Sequence, residues 1–271
     1  MTSAETNLLR VERDGDVATV SLVAPTMPPA LFAELRTTFT AFAADDHLRA
    51  VILRGDGKAF SFGLDLPAAF AAWGPTLSGQ GLATGRTALW KLIGELQAAI
   101  TAVARCPAPV IAAIHGWCIG GGVDLISACD LRICTADARF SVREIKVAMV
   151  ADLGSLQRLP RVIGDAATRE LALTGKDIDA ARAQALGLVS QVLADRAALD
   201  DAARALAAEI AGNPPLVVRG VKHILDEATR PAIDDGLARV ALWNSAFLPS
   251  EDLGEAAAAF AARRPPTYKG R

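Results

Sequence analysis

The sequence has few of the residues on which metal and thiol chemistry depend. Its 271 residues include three histidines and four cysteines. The cysteines form no CxxC pair and lie in apolar surroundings, so we expect buried, reduced thiols rather than disulfides or a zinc site. The histidines have no HxxH or HExxH spacing, and no metal site is predicted. The cysteines are Cys106, Cys118, Cys129 and Cys134.

Charge of one sign and long apolar runs are also missing. The net charge at pH 7 is −2, which leaves no electrostatic footprint for nucleic acid or anionic lipid. No apolar run reaches the length of a membrane span. The N-terminal segment MTSAETNLLRVERDGD has early acidic residues and no apolar signal core. We therefore predict a cytoplasmic protein with no nucleic acid or membrane partner.

The chain does have apolar runs that alternate with amphipathic stretches, which predicts an α/β fold. Strands are predicted at 8–12 and 17–23, as a hairpin, and at 50–54, 109–114, 131–134 and 188–193. Helices are predicted over 30–44, over 86–105 and from Gly121. Residues 71–85, rich in Gly, Pro, Ser and Thr, predict a mobile surface loop. Amphipathic stretches beyond residue 195 predict a helical layer that self-associates.

The most informative segment is PVIAAIHGWCIGGGVDLISACD, residues 109–130. An apolar run meets the glycines at 120–122, and Asp124 follows. Such an entry into a helix brings backbone N–H groups to a place where they can hold a developing negative charge. The nearby carboxylate indicates proton chemistry. The segment also matches a GxSxG nucleophile elbow with Cys118 in place of serine and His223 downstream, so a hydrolase is an alternative to simple packing of Cys118.

Five ordered segments carry a wider resemblance: KAFSFGLDL, HGWCIGGGVDLISACDLRICTADARFSVREIKV, ADLGSLQRLPRVIG, ALTGKDIDAARAQALGLVSQV and EDLGEAAAAFAARRPPTYKGR. Together they resemble the crotonase (enoyl-CoA hydratase/isomerase) superfamily. The resemblance implies a crotonase-like ββα spiral core over residues 1–195 and a helical trimerisation region over 196–271. It also implies an acyl-CoA thioester substrate, no separate cofactor because coenzyme A is part of that substrate, and a homotrimer or a dimer of trimers.

The resemblance further implies an oxyanion hole, in which two backbone N–H groups hold the thioester enolate. Its donors would be Phe62 and Gly121, and Gly63, Leu64, Asp65 and Gly120 are further candidates for binding substrate. Phe62 departs from the alanine usual in the family, and its ring would line the acyl tunnel or pack in the core. PTMPPALFAEL, residues 25–35, is a second departure, because its prolines stiffen a segment that contributes to the adenine pocket.

Three acids, Asp124, Glu144 and Asp152, discriminate among the family's reactions. Hydratases of the family hold a water between two glutamates, and an aspartate at 124 would loosen that grip. The trio instead resembles Δ3,5-Δ2,4-dienoyl-CoA isomerases, which shift two conjugated double bonds in fatty acid β-oxidation. The resemblance implies Glu144 as the base near C2, Asp152 as the acid near C6 and Asp124 as a group that orients them, although base and acid could be reversed.

Other readings of the three acids stay open at this point. An enoyl-CoA hydratase would add water to a 2-enoyl-CoA and depend on Asp124 and Glu144. A non-catalytic acyl-CoA-binding protein would bind thioesters without turnover. Each acid also has a structural alternative: Asp124 in the first turn of a helix, Glu144 as an ion-pair partner of a neighbouring basic residue, and Asp152 as the N-cap of the helix that follows it.

Overall fold

Two sheets joined by helices form the core of the protein. The computed structural model describes residues 7–79 and 81–271. Its strands are β1 (Leu9–Asp14), β2 (Val17–Leu22), β3 (Ala50–Gly55), β4 (Val110–Ile114), β5 (Trp117–Ile119), β6 (Leu131–Thr135), β7 (Arg139–Ser141), β8 (Ile178–Asp179) and β9 (Gln191–Leu193). The larger sheet has the order β1-β2-β3-β4-β6-β9 and the smaller β5-β7-β8. The β1–β2 and β7–β8 pairs are antiparallel, and the other described strand pairs are parallel.

Helices connect and cover these strands. They are α1 (Pro29–Ala43), α2 (Leu66–Leu77), α3 (Ala83–Ala104), α4 (Gly121–Ser127), α5 (Ser155–Val162), α6 (Asp165–Thr174), α7 (Ala180–Ala185), α8 (Arg196–Ala211), α9 (Pro215–Glu227), α10 (Arg230–Phe247) and α11 (Glu251–Ala261), with a 3-10 helix at Glu144–Val147. No helix of the described residues is long and apolar enough to cross a bilayer. Residues 1–6 of the N-terminal segment discussed above lie outside the described residues.

The chain passes repeatedly from the larger sheet to the smaller one, which gives the expected ββα spiral. After β4 it turns at Gly116, whose φ is +57° and where a Cβ atom would lie 2.9 Å from the Lys58 carbonyl oxygen. It then enters β5 in the second sheet, and the same passage recurs from β6 to β7. The predicted strand at 109–114 is β4, and the apolar residues between it and the glycines form β5 in the other sheet. The sequence did not reveal β5, β7 and β8, because elements of two or three residues carry no measurable periodicity.

The central strands β3 and β4 of the larger sheet are buried on both faces, as is typical of nearly continuous apolar strands in parallel pairing. Val51 and Leu53 of β3 face the main core together with α1 and α3. Ala50 and Ile52 face the opposite side, which α8 covers. The α8 side chains in this second core are Leu199, Ala203 and Ala207. The predicted C-terminal region, 196–271, thus begins with a helix that completes the core.

The predicted mobile loop over 71–85 is wrong, because α2 extends to Leu77 and α3 begins at Ala83. Asp65 caps α2 by accepting the Ala68 N–H at 3.0 Å, and the helix continues through Pro75. The helix propensity of α2 is weak. Burial of Ala69 and Leu77 on one face of the helix outweighs it. Gln80, within the predicted loop, lies outside the described residues.

A buried ion pair ties the C-terminal helices to the sheet. The Lys222 ammonium on α9 donates to Asp130 Oδ2 at 2.6 Å, and its side chain keeps 7% of its exposure. The same oxygen accepts the N–H of Val110 at the start of β4, at 2.7 Å. One carboxylate therefore joins a strand edge to a helix nearly a hundred residues later in the chain.

Replacing Lys222 by Met should lower the free energy of unfolding by about 2–3 kcal/mol, less than for a fully buried pair because Asp130 keeps 26% of its side-chain exposure. Urea unfolding at fixed protein concentration measures the effect. The control is Arg204→Met, which removes an exposed pair with Asp201 and should cost no more than about 0.5 kcal/mol. Equal losses of unfolding free energy in the two variants would contradict a stabilising role for the buried Lys222–Asp130 pair.

Candidate active site

The three glycines lie where the chain enters the short helix α4. Gly120 has φ +52° and ψ −119°, a conformation that other residues rarely adopt. The N–H of Gly121, in the first turn of α4, has no acceptor among the described residues. A Cβ atom on Gly121 would lie 3.2 Å from Met27 Sδ and 3.8 Å from the backbone nitrogen of Leu64. The glycine therefore leaves its N–H accessible beside the loop that follows β3.

In that loop, residues 61–65, four of the five backbone N–H groups already have acceptors in the protein. Ser61 donates to the Trp117 carbonyl at 2.9 Å and Phe62 to the Pro25 carbonyl at 2.6 Å. Gly63 donates to Ser61 Oγ at 3.0 Å, and Asp65 to the Met27 carbonyl at 3.0 Å. Within the described part of the chain, the N–H of Leu64 alone in this loop has no acceptor. Gly63, with φ +79°, permits the close approach, since a Cβ there would lie 2.7 Å from the Ile119 carbonyl oxygen and 3.3 Å from the Gly121 nitrogen.

This hydrogen-bond pattern corrects the predicted role of Phe62. Its N–H is already bonded to Pro25, and that proline belongs to the segment 25–35 in which the sequence departs from the family. Its half-buried ring lies under the Lys58 ammonium, 5.6 Å from nitrogen to centroid. Asp65, a predicted candidate for binding substrate, caps α2 and accepts the Thr26 hydroxyl at 3.1 Å. The free donors that face each other are therefore those of Leu64 and Gly121.

Asp124 is buried in α4 and is held by the start of α5. Its Oδ1 accepts the Ser155 N–H at 2.6 Å, and the residue is 1% exposed. Burial raises the pKa of Asp124, while the bond from Ser155 and the Arg158 guanidinium oppose that rise. Both opposing contacts, together with the helix N-terminus, favour the charged carboxylate. The N–H of Ser155 at the start of α5 thus donates to Asp124 and not to Asp152. Asp152 is therefore not the N-cap of this helix.

Glu144 begins the 3-10 helix and its carboxyl group lies against the glycine turn. A Cβ atom on Gly120 would be 3.3 Å from Glu144 Oε1, and Oε2 is buried without a hydrogen-bond partner among the described residues. Burial raises the pKa of Glu144 well above its usual value, and the charges of Asp124 and Asp152 raise it further. A proton on Glu144 can be shared with Asp124. The neighbouring Arg143 forms its ion pair with Asp177. This contradicts the structural alternative in which Glu144 is the ion-pair partner of that basic residue.

Asp152 follows on the loop before α5 and is held from two other helices. Asn244 on α10 donates to its Oδ2 at 2.7 Å, and Gln97 on α3 donates to its backbone carbonyl at 2.7 Å. Burial raises the pKa of Asp152 to about 7, with the Asn244 bond opposing the rise. The predicted trio thus gathers around the glycine turn. Sequence reasoning missed Asn244 and Gln97, because a polar residue on an amphipathic helix gives no sign that it turns inward.

An apolar cavity of about 270 Å³ lies between this acid-bearing segment, the start of α2 and α11. Val147 and Met149 line it from the segment between Glu144 and Asp152. Leu66, Phe70, Ala257 and Phe260 line it from the two helices. The chain's tail also touches this region, since the Tyr268 hydroxyl donates to the Lys146 carbonyl at 2.7 Å. No group of three or more metal-ligating side chains occurs in the described residues.

The alternative with Cys118 as a nucleophile does not fit the geometry. The thiol lies inside β5 with 0% exposure, and burial raises its pKa well above the usual value, with Cys129 and Asp124 nearby. A nucleophilic cysteine needs an accessible thiolate and an adjacent base. His223 instead lies exposed on α9. Cys118 therefore packs in the core.

All four thiols should be unreactive in the folded protein, because each is buried and unpaired. An aromatic disulfide reagent that absorbs on thiol exchange should detect no rapid reaction in buffer and four thiols after unfolding in guanidinium. Rapid reaction of one thiol in the native protein, lost in Cys118→Ala, would restore the nucleophile hypothesis.

Comparison with known proteins gives a consistent result. The family model described as Enoyl-CoA hydratase/isomerase matches residues 12–271. The Δ(3,5)-Δ(2,4)-dienoyl-CoA isomerase, mitochondrial, of Dictyostelium discoideum is 43% identical over 96% of this chain and 91% of its own length. The peroxisomal enzyme of that name from Arabidopsis thaliana is 43% identical over 88% of this chain and 85% of its own.

A solved structure shows the same fold. The enoyl-CoA hydratase/isomerase from Pseudoalteromonas atlantica T6c superposes with a TM-score of 0.84 and 24% identity, and the match covers 97% of this chain and 100% of that one. One prediction is corrected by the comparisons. The expected cytoplasmic location is wrong, because the similar isomerases are named as mitochondrial or peroxisomal proteins. Composition and net charge carry no information about which compartment holds the chain.

Proposed function

The chain belongs to the enoyl-CoA hydratase/isomerase (crotonase) family, and on this premise we propose that it isomerises 3,5-dienoyl-CoA to 2,4-dienoyl-CoA in fatty acid β-oxidation. The observation that carries the proposal is the third acid. Asp152, whose pKa is raised to about 7, lies near the buried acids Asp124 and Glu144. The 43% identity to isomerases of that name supports the same reaction. Coenzyme A enters as part of the substrate.

The thioester oxygen is held by the N–H groups of Leu64 and Gly121. Both donors lack protein acceptors among the described residues, and they lie on facing loops. As the C2 proton leaves, negative charge develops on the thioester oxygen, where two fixed donors each contribute about 3–4 kcal/mol. Because both are backbone groups, they need no reorganisation during the reaction.

Glu144 takes the proton from C2, because it lies over Gly120, next to the proposed oxyanion site. The pair of Asp124 and Glu144 shares one proton, and Glu144 acts as a base when that proton is on Asp124. The C2–H electron pair enters the conjugated system, the double bonds shift, and Asp152 delivers its proton to C6. The enzyme then returns to its starting state by exchange of protons among these acids and solvent. Asp124 acts through Glu144 rather than on the substrate.

The alkyl end of the substrate, beyond C6, occupies the cavity of about 270 Å³ beside Met149 and α11. The cavity borders the acid-bearing segment, and its apolar lining offers no partner to a polar chain end. Burial of each methylene there contributes about 0.8 kcal/mol to binding.

Self-association as a homotrimer or a dimer of trimers accounts for apolar side chains that the single chain leaves exposed. Leu216, Ile224 and Leu225 on α9 are 83%, 68% and 66% exposed. Trp243 and Phe247 on α10 are 55% and 60% exposed. Such faces are too apolar for a monomer in water.

Replacing Asp152 by Asn should lower kcat for 3,5-dienoyl-CoA about 100-fold or more, and Glu144→Gln should do the same, because each removes a proton-transfer group. The ultraviolet absorbance of the conjugated 2,4-dienoyl thioester follows the reaction. Asp165→Asn, which removes an exposed carboxylate paired with Arg169, serves as the control and should keep full turnover.

A parallel assay with 2-enoyl-CoA separates the alternatives. Loss of enoyl absorbance that requires Asp124 and Glu144 but not Asp152 would support a hydratase. Tight binding of both thioesters without turnover would support a non-catalytic binding protein. Either outcome would overturn the isomerase proposal.

Ala257→Trp should shorten the range of accepted substrates, because the indole fills part of the apolar cavity. We expect KM for long-chain 3,5-dienoyl-CoA to rise at least about tenfold, from the loss of two or more buried methylenes. Turnover of an eight-carbon substrate should change little. Ala258→Trp, on the exposed side of the same helix, is the control. Equal effects on both chain lengths would place the alkyl end elsewhere.

A further inference from the structure

We propose that Asn244 is a positioning residue that fixes the carboxyl group of Asp152 and sets the pH at which that group gives up its proton. The inference rests on the proposed function for its catalytic meaning, since Asn244 is assigned no contact with substrate. It adds to the proposed reaction a residue from α10, far along the chain from the three acids. No motif in the sequence singled it out.

The geometry leaves Asn244 little freedom. The residue is 2% exposed, and its Nδ2 donates to Asp152 Oδ2 at 2.7 Å and to the Val150 carbonyl at 2.8 Å. A side-chain amide nitrogen carries two hydrogens, and both are used here. One holds the carboxylate and the other holds the backbone two residues earlier. The carboxyl group of Asp152 is therefore fixed in direction as well as in place.

The electrostatic surroundings make this donor important. The ionisable groups near Asp152 include two acids, Asp124 on α4 and Glu144 on the 3-10 helix. The Arg158 guanidinium on α5 is also near, and it donates to the carbonyl of Leu153 at 3.3 Å. Together with burial, a neighbouring negative charge favours the protonated form of Asp152. The Asn244 amide is neutral at all pH values, donates to the charged form and so works in the opposite direction. The balance keeps the pKa of Asp152 near 7, where it can both give and regain a proton.

Gln97 provides a matched comparison on another helix. It is 8% exposed, and its Nε2 donates to the Asp152 carbonyl at 2.7 Å and to the Leu237 carbonyl at 3.0 Å. Like Asn244, it is a buried amide that contributes both hydrogens and contacts Asp152. Unlike Asn244, it contacts the backbone and not the carboxyl group. Comparison of the two residues separates loss of packing from loss of control over the proton.

The experiment compares Asn244→Leu with Gln97→Leu in the full-length protein. Aspartate labelled with carbon-13 at the carboxyl group is followed by NMR over a pH series, and the Asp152 signal is identified by its absence in Asp152→Asn. We expect its titration midpoint to rise by about one pH unit in Asn244→Leu, because a hydrogen bond to a charged group is lost. The midpoint should be unchanged in Gln97→Leu, although both variants unfold at lower temperature.

The kinetic counterpart uses 3,5-dienoyl-CoA as the probe. Since Asp152 donates as the protonated acid, kcat falls above its pKa, and the alkaline limb should move upward in Asn244→Leu with little change in KM. Equal midpoints in the two variants, or in Asn244→Leu and the wild type, would overturn the inference. Asn244→Ala gives the same test if the leucine variant does not fold. Because the NMR titration needs no substrate, a wild-type protein without isomerase activity would overturn the proposed function and leave the role of Asn244 decidable.

Discussion

The hydrogen bond from the Ser155 N–H to Asp124, 2.6 Å long, is the interaction on which the candidate site depends. It holds a carboxylate at the N-terminus of α5, where the backbone offers one of its unpaired donors. Burial raises the pKa of Glu144, and the charge of Asp124 raises it further. The place where α5 starts therefore contributes, together with burial, to the unequal proton affinities of the three acids. The 3-10 helix and the loop before α5 then place Glu144 and Asp152 near Asp124.

Much of the fold was readable from the sequence, for a physical reason. Long elements such as α1, α3 and α8, and apolar strands such as β3 and β4, repeat their pattern often enough to be recognised. The short strands β5, β7 and β8 do not, and α2 contains Gly74 and Pro75, which predict a loop. The Asp65 cap and the burial of one face stabilise α2 by more than Gly74 and Pro75 destabilise it. The resemblance to the crotonase family and to its dienoyl-CoA isomerases is confirmed by the comparisons.

The site was predictable in part. Asp124, Glu144, Asp152 and Gly121 carry recognisable spacing, and the structure gathers them. The resemblance implies Phe62 as an oxyanion donor from its position in a motif, but a motif does not say which N–H of a loop is already bonded. That depends on Pro25 and Met27, which come from another part of the chain. The role of Asn244 could not be predicted from the sequence for the same reason, because its partner Asp152 lies 92 positions away.

The cover that α8 provides for the second face of the larger sheet has a consequence for synthesis. Until that helix leaves the ribosome, Ile52, Ile111 and Ile133 have no partner layer, although their strands are complete. Parallel strands cannot pair through local turns. Closing the loops between them costs entropy before the contacts with α8 can form. The nascent chain therefore presents an apolar sheet face from the completion of β6 until α8 docks. Docking of α8 then buries these three isoleucines and ends their exposure to solvent.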